Sequence, residues 1–160
     1  MTDDTIKFYF QEDHKRLDCL FEEFQAIKAC DVDGAREQFE SFKRGLEQHI
    51  AWEEDILFPL FESKTGMGNS GSTQMMRFEH KQLKTLLKSL QEKMQQEKPG
   101  DDDQEAALIE LLAQHNHKEE NILYPMIDGS VADGERQEVF KKIKASSETG
   151  AGGCCGMHNH

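Results

Sequence analysis

The feature that most constrains the fold of this chain of 160 residues is an internal repeat with a shift of 66 residues. In each copy a histidine is followed 35 residues later by a second histidine, and four residues after that by a glutamate: His14, His49 and Glu53 in the first copy, and His80, His115 and Glu119 in the second. The stretch EEDILFP at 53–59 likewise corresponds to EENILYP at 119–125. Two copies of one unit predict a fold whose halves are related by an internal twofold.

The spacing of apolar residues predicts that each copy contributes two long helices. Clusters of helix-breaking residues lie at 30–34, 64–72, 98–103 and 128–134. Between them, apolar residues recur at intervals of three and four, which is typical of packed helices. The predicted buried seams are Phe10, His14, Leu17, Phe21 and Phe24; Phe42, Leu46, His49, Glu53, Ile56 and Leu60; Met76, His80, Leu83, Leu87, Leu90 and Met94; and Leu108, Leu112, His115, Glu119, Ile122 and Met126.

The expected fold is therefore all-α, an antiparallel up-down-up-down four-helix bundle with an internal twofold repeat. Asp33 is expected to cap the second helix. A short helix around 133–145 follows the bundle, so the bundle domain is placed at 1–145 and a flexible Gly-rich tail at 146–160.

The repeated histidines and glutamates all lie on seams that must meet at the bundle axis. Burying two carboxylates and four imidazoles without partners costs several kcal/mol per charge. A pair of cations removes that cost, and nitrogen and oxygen donors suit iron, manganese or zinc. A single seam histidine is more often an ordinary core residue, but six residues related by one shift favour a metal centre. The remaining alternative is a duplicated bundle that has lost its metal.

The charge balance limits the class of partner. The net charge is −12, which argues against binding to nucleic acid or to anionic lipid. No apolar run approaches the ~20 residues of a membrane span, and the acidic N-terminal segment MTDDTIKFYF is unlike a signal peptide. Four cysteines, two of them adjacent, do not suggest a disulfide framework, so a reducing cytoplasm is expected.

The motifs that carry these residues resemble those of the hemerythrin-like (HHE cation-binding) domain family over residues 5–127. They are DHKRL at 13–17, HIAWEEDILFP at 49–59, FEHKQL at 78–83 and HNHKEENILYP at 115–125. The resemblance implies a non-haem centre of two iron ions joined by an oxo or hydroxo group. By that resemblance, the ligands of one iron are His14 and His49, those of the other are His80 and His115, and the bridging carboxylates are Glu53 and Glu119.

Two departures from the oxygen-carrying hemerythrins affect the expected function. Those proteins have a further histidine one turn after the third-helix histidine, where this chain has Lys84, and their last carboxylate corresponds to Glu120 rather than Glu119. The resulting set of four histidines and two glutamates is more similar to the di-iron domain of repair-of-iron-centres proteins. Asp18, the repeat partner of Lys84, is either an additional ligand or an ion-pair partner of that lysine.

The expected function is binding of a diatomic gas, O₂ or NO, for sensing, storage or scavenging. The alternatives are a di-iron redox enzyme that acts on NO or peroxide, and a protein that donates iron to damaged iron–sulfur clusters. The tail holds a dense group of potential metal ligands, which is either functional or incidental: Cys154, Cys155, His158 and His160. These patterns assign no protein partner and no catalytic residue.

Overall fold

The computed structural model describes residues 5–66, 71–96 and 102–146, and within these ranges the regular structure is helical. Its elements are α1 (Ile6–Ile27), α2 (Val32–Trp52), π1 (Glu53–Leu57), α3 (Phe58–Thr65), α4 (Ser72–Gln95), α5 (Asp102–Lys118), π2 (Glu119–Leu123), α6 (Tyr124–Ser130) and α7 (Asp133–Ser146). The segments α2, π1 and α3 follow one another without interruption, as do α5, π2 and α6. The described residues therefore form four long helical rods and a short fifth helix, and the predicted all-α class is confirmed.

Local hydrogen bonds explain where the first two rods begin. The Thr5 side chain accepts from the N–H of Phe8 at 3.0 Å and caps α1. Asp31 caps α2 by accepting from the N–H of Gly34 at 2.9 Å. The prediction that Asp33 is the cap is wrong, because the helix starts two residues earlier and Asp33 lies in its first turn. Acidic residues are favourable in both places, so composition alone does not separate them.

Contacts between the rods show that neighbours are antiparallel. Gln25 and Lys28, at the end of α1, contact Glu105 near the start of α5. At the other end of α1, the N–H groups of Ile6 and Lys7 donate to the carboxylate of Asp128 in α6. Corresponding pairs for the other neighbours are Glu23–Gln38 and Asp13–His49, Glu40–Gln91 and Glu54–His80, and Ser89–Gln104 and Glu79–His115.

The core consists of two apolar clusters with polar residues between them. One cluster extends from Leu17 to Leu112 and fills one end of the bundle. The other includes Phe10, Trp52 and Tyr124 and is covered by Val139 and Ile143 of α7. In every rod the predicted ligands fall between residues of these two clusters. The polar residues therefore occupy a central layer with apolar side chains on both sides. In the described ranges, no helix combines the length and the apolarity that crossing a membrane requires.

The predicted seams are confirmed up to the glutamates and fail beyond them. Ile122 and Met126 are 52% and 39% exposed, and Ile56 and Leu60 are only partly buried. The physical reason is a widened turn in each rod: the carbonyl of Glu53 accepts from the N–H of Phe58, and that of Glu119 from the N–H of Tyr124, five residues on. Such a turn holds one residue more than an α-helical turn, so every later side chain is shifted in phase. The side chains buried in their place are Leu57, Phe58 and Phe61, and Leu123, Tyr124 and Ile127.

The remaining predictions about domain limits concern residues at the C-terminal end. The short fifth helix is confirmed as α7, which ends at Ser146. The indole N–H of Trp52 donates to the Ser146 hydroxyl at 3.0 Å, so α7 is attached beside π1. Beyond Ser146 the predicted tail, including Cys154, Cys155, His158 and His160, lies outside the described residues.

Candidate metal centre

The structure brings all six predicted ligands together in the central layer. Each is at most 3% exposed: His14, His49, Glu53, His80, His115 and Glu119. Their donor atoms form two groups of four, and within each group all atoms lie within 4.8 Å of one another. We call the group with His14 and His49 the first position and the group with His80 and His115 the second position; both glutamates belong to both groups.

Each glutamate spans the two positions with its two oxygens. Glu53 Oε2 lies 3.3 Å from His49 Nε2, and Glu53 Oε1 lies 2.9 Å from His80 Nε2. Glu119 Oε1 lies 3.2 Å from His14 Nε2, and Glu119 Oε2 lies 3.0 Å from His115 Nε2. This is the arrangement expected of carboxylates that bridge a pair of cations in a bundle core.

A second ring of carboxylates holds the outer nitrogen of each of the four central histidines. The Nδ1 contacts are His14–Glu120 at 2.6 Å, His49–Asp13 at 2.8 Å, His80–Glu54 at 2.6 Å and His115–Glu79 at 2.8 Å. Each carboxylate comes from the neighbouring rod. An Nδ1–H engaged in this way leaves Nε2 directed into the centre, which is how metal-binding histidines are oriented in proteins. The sequence analysis did not identify these partners, although the shift of 66 relates Asp13 to Glu79 and Glu54 to Glu120.

The electrostatics of the layer show that it requires positive charge. Burial alone lowers a histidine pKa, but the adjacent carboxylates reverse this and raise the pKa of His49 to about 10, of His80 to about 11 and of His115 to about 9. Burial opposes ionisation of Glu119, yet His115 and the other nearby histidines hold its pKa well below the ordinary value. Without a metal, the charge of the buried carboxylates is balanced by protons on the imidazoles. Bound cations would take the place of those protons.

Unpaired polar atoms mark the second position. Glu53 Oε1, His80 Nε2 and Glu119 Oε2 are buried and have no hydrogen-bond partner in the described part of the chain. His80 Nε2 and Glu53 Oε1 lie 2.9 Å apart without forming a hydrogen bond. Glu54 contacts the Nδ1 atom of the same imidazole, on its outer side. Buried polar atoms are rarely left unpaired, so this arrangement fits a cation between them.

The alternative ligands lie outside both groups. Glu120 binds the outer nitrogen of His14, and its side chain is 24% exposed. Asp18 and Lys84 are exposed, and neither belongs to a group of metal-ligating atoms. With Glu22 and Glu120, Asp18 lines a groove of about 430 Å³ on the outer side of the first position. The choice of Glu119 over Glu120 is therefore consistent with where the two side chains lie.

Tyr124 adds a hydroxyl group to the first position. It is fully buried, and its Oη lies 2.5 Å from Glu53 Oε2 and 2.8 Å from Glu119 Oε1. The Nε2 atoms of His14 and His49 are both 3.4 Å away from it. Burial and the two carboxylates raise the pKa of Tyr124 well above its ordinary value in the metal-free centre. An unbroken α-helix would direct residue 124 elsewhere, so the widened turn at Glu119 brings this hydroxyl to the carboxylates.

Comparison with known proteins agrees with this geometry. The chain belongs to the hemerythrin HHE cation binding domain family, whose family model matches residues 6–127. A curated protein named "DNA nickase" from Nostoc sp. (strain PCC 7120 / SAG 25.82 / UTEX 2576) is 25% identical over 144 residues. The match covers 90% of this chain but only 39% of that protein, so the chain spans about two-fifths of the length of this relative. No solved structure gave a significant match.

Proposed function

We propose that the central layer holds two iron ions as a non-haem di-iron centre. His14 and His49 are the nitrogen ligands of one ion, His80 and His115 are those of the other, and Glu53 and Glu119 bridge them. The observation that carries this proposal is the pair of four-atom groups that share both glutamates, with three unpaired buried atoms in one of them. None of the six ligands is a thiolate, and imidazole with carboxylate suits iron.

The protein's contribution is to hold these ligands rigidly in a layer closed to bulk water. The outer carboxylates fix each imidazole, and the apolar clusters above and below the layer keep it dry. Two histidines and two carboxylate oxygens at each position leave an iron ion short of six ligands. When bound, such an iron pair supplies free coordination positions and redox chemistry.

The burial of the layer favours a very small exogenous ligand. With every ligand at most 3% exposed, a diatomic molecule fits the centre better than a larger substrate does. We therefore propose that the chain binds O₂ or NO, for sensing, storage or scavenging. Redox turnover of NO or peroxide and donation of iron for cluster repair are the alternatives that the experiments below separate.

The name of the Nostoc relative does not extend to a proposal for this chain. A net charge of −12 disfavours contacts with phosphate groups. The matched region is also a minor part of that longer protein. We propose no nucleic-acid partner and no membrane partner.

The first test is the metal content and the absorption spectrum of the purified protein. We expect about two iron ions per chain, because both four-atom groups are filled at once. A protein that contains no metal when purified, and that binds neither iron nor another divalent ion when these are added, contradicts the proposal. A stoichiometry of one ion per chain contradicts the bridged pair.

The second test separates binding from chemistry. The reduced, iron-loaded protein is mixed with O₂, NO or peroxide in a stopped-flow spectrometer, and in a separate experiment with an apo iron–sulfur acceptor. A spectrum that reverts when the gas is removed supports a binding role. Continued consumption of NO or peroxide supports the enzyme, and loss of iron to an apo iron–sulfur acceptor supports the donor.

A further inference from the structure

We propose that the two metal positions are chemically different, because Tyr124 supplies its phenol oxygen as a fifth protein ligand to the first position. This inference rests on the di-iron centre proposed above and goes beyond it. The second position has only two histidines and two carboxylate oxygens. The exogenous ligand is then directed to the second position.

The distances place the phenol oxygen among the donors of one position only. Tyr124 Oη contacts Glu53 Oε2 and Glu119 Oε1, the two carboxylate oxygens that face His49 and His14. It is also equally distant, at 3.4 Å, from the Nε2 atoms of both histidines. A hydroxyl that is close to all four donors of a position lies where a ligand to that position must lie.

The internal repeat allows Tyr124 to be compared with the corresponding residue of the other half. The counterpart of Tyr124 under the shift of 66 is Phe58, which lacks the hydroxyl. The Phe58 ring stacks on His80 with centroids 5.9 Å apart, and the Tyr124 ring stacks on His14 at the same distance. The two rings are thus in corresponding places, and a single oxygen atom distinguishes them.

The pattern of unpaired atoms follows the same division. The three unpaired atoms of the central layer, among the described residues, belong to the second position. The corresponding carboxylate oxygens of the first position both contact Tyr124. The hydroxyl therefore satisfies the first position in the absence of metal and leaves the second position open.

A phenol oxygen that held a cation at the first position would do so as the phenolate, because metal ligands bind in their deprotonated form. It would be a hard oxygen donor, which suits trivalent iron.

The test uses the visible absorption that arises when a phenolate binds trivalent iron. The chain has two tyrosines, so each can be changed in turn. Tyr124→Phe removes one oxygen atom from the centre. Tyr9→Phe is the matched control, because Tyr9 is 37% exposed and packs against the rings of Phe10, Trp52 and Phe140.

We expect the wild type and Tyr9→Phe to show the band and Tyr124→Phe to lose it. All three proteins should take up about two iron ions, with one of them bound about 10- to 100-fold more weakly in Tyr124→Phe. Absence of iron from the wild type contradicts the di-iron proposal itself. Two bound ions without a tyrosine-dependent band, or a band that disappears in Tyr9→Phe, overturns only the assignment of Tyr124.

A double variant, Tyr124→Phe with Phe58→Tyr, moves the oxygen to the other position. The repeat predicts that the band returns and that the weaker of the two ions becomes the one at the first position. If this variant binds two ions and shows no band, the oxygen does not act through its place in the repeat and the inference is wrong. Circular dichroism of all variants confirms that the helical bundle is retained.

Discussion

The two halves of the molecule contribute matching histidines and glutamates to the centre and differ in the residues around them. Each half contributes two histidines, one glutamate that belongs to both groups of donor atoms, and two carboxylates that hold histidine nitrogens, all related by the same shift. Each also contributes a widened turn that begins at this glutamate. The residues that repeat are those that a paired cation centre needs. The repeat therefore identifies the residues that the centre requires, apart from those that only the fold requires.

The residues that do not repeat give each side of the centre its own surroundings. Asp18 of the first half corresponds to Lys84 of the second. Burial, together with Glu22 and Glu120, raises the pKa of Asp18, whereas the hydrogen bond from His80, assisted by Lys84 and Arg77, lowers the pKa of Glu54. Acidic side chains therefore surround Asp18, whereas Lys84 and Arg77 lie near the carboxylate of Glu54. The two positions thus have different charged neighbours.

The largest expected effect comes from breaking what the halves share. Glu53→Gln and Glu119→Gln should each lose both metal ions, because each carboxylate gives one oxygen to each position. Metal analysis of the purified variants measures this loss. Glu120→Gln is the control and should still bind both ions when metal is added to saturation. If Glu120→Gln alone empties the centre, the bridging carboxylate has been assigned to the wrong residue.

The apolar cluster that extends from Leu17 to Leu112 offers a test of whether the two halves contribute equally to stability. Leu17 and Leu83 are repeat partners and are at most 1% exposed. Replacing either with alanine should lower the free energy of unfolding by about 2–5 kcal/mol, through lost burial and the cavity that remains. Urea unfolding of the two variants measures the loss. A destabilisation confined to one of them shows that the halves are not equivalent in packing.

A smaller effect is expected from the carboxylates that hold the outer histidine nitrogens. Glu120→Gln and Glu54→Gln each weaken the orientation of one imidazole, that of His14 or that of His80. We expect one of the two ions to bind about 10- to 100-fold more weakly in each variant, with stoichiometry retained at saturating metal. Competition with a chelator measures the affinity. Equal weakening of both ions in one variant contradicts the assignment of each histidine to a separate position.

Much of this architecture could be predicted from residues that repeat. The six ligands and the four rods follow from one shift and from spacing of three and four residues. The outer carboxylates could also have been found, since Asp13 and Glu79 are repeat partners, but a surface acid next to a histidine has many ordinary explanations. Only the fold shows that Asp13 on α1 reaches His49 on α2 rather than a residue of its own helix.

The widened turns could not be predicted, because periodicity arguments assume a constant rise and twist. Past Glu119 the α-helical pattern selects Ile122, whereas the structure buries Leu123 and Tyr124. All three are apolar or aromatic, so composition gives no warning of the change of phase. The one available signal was the position of the two glutamates at the start of matching segments in both halves.

The smallest expected effect tests this change of phase. Ile122 is 52% exposed and Leu123 is 1% exposed. Ile122→Ala should change the free energy of unfolding by no more than about 0.5 kcal/mol, while Leu123→Ala should cost about 2–5 kcal/mol. Urea unfolding of the two variants makes the comparison. The opposite order would indicate that this rod is an unbroken α-helix, in which Tyr124 faces away from the centre. The comparison of the two free energies of unfolding therefore also tests whether the Tyr124 hydroxyl can reach Glu53 and Glu119.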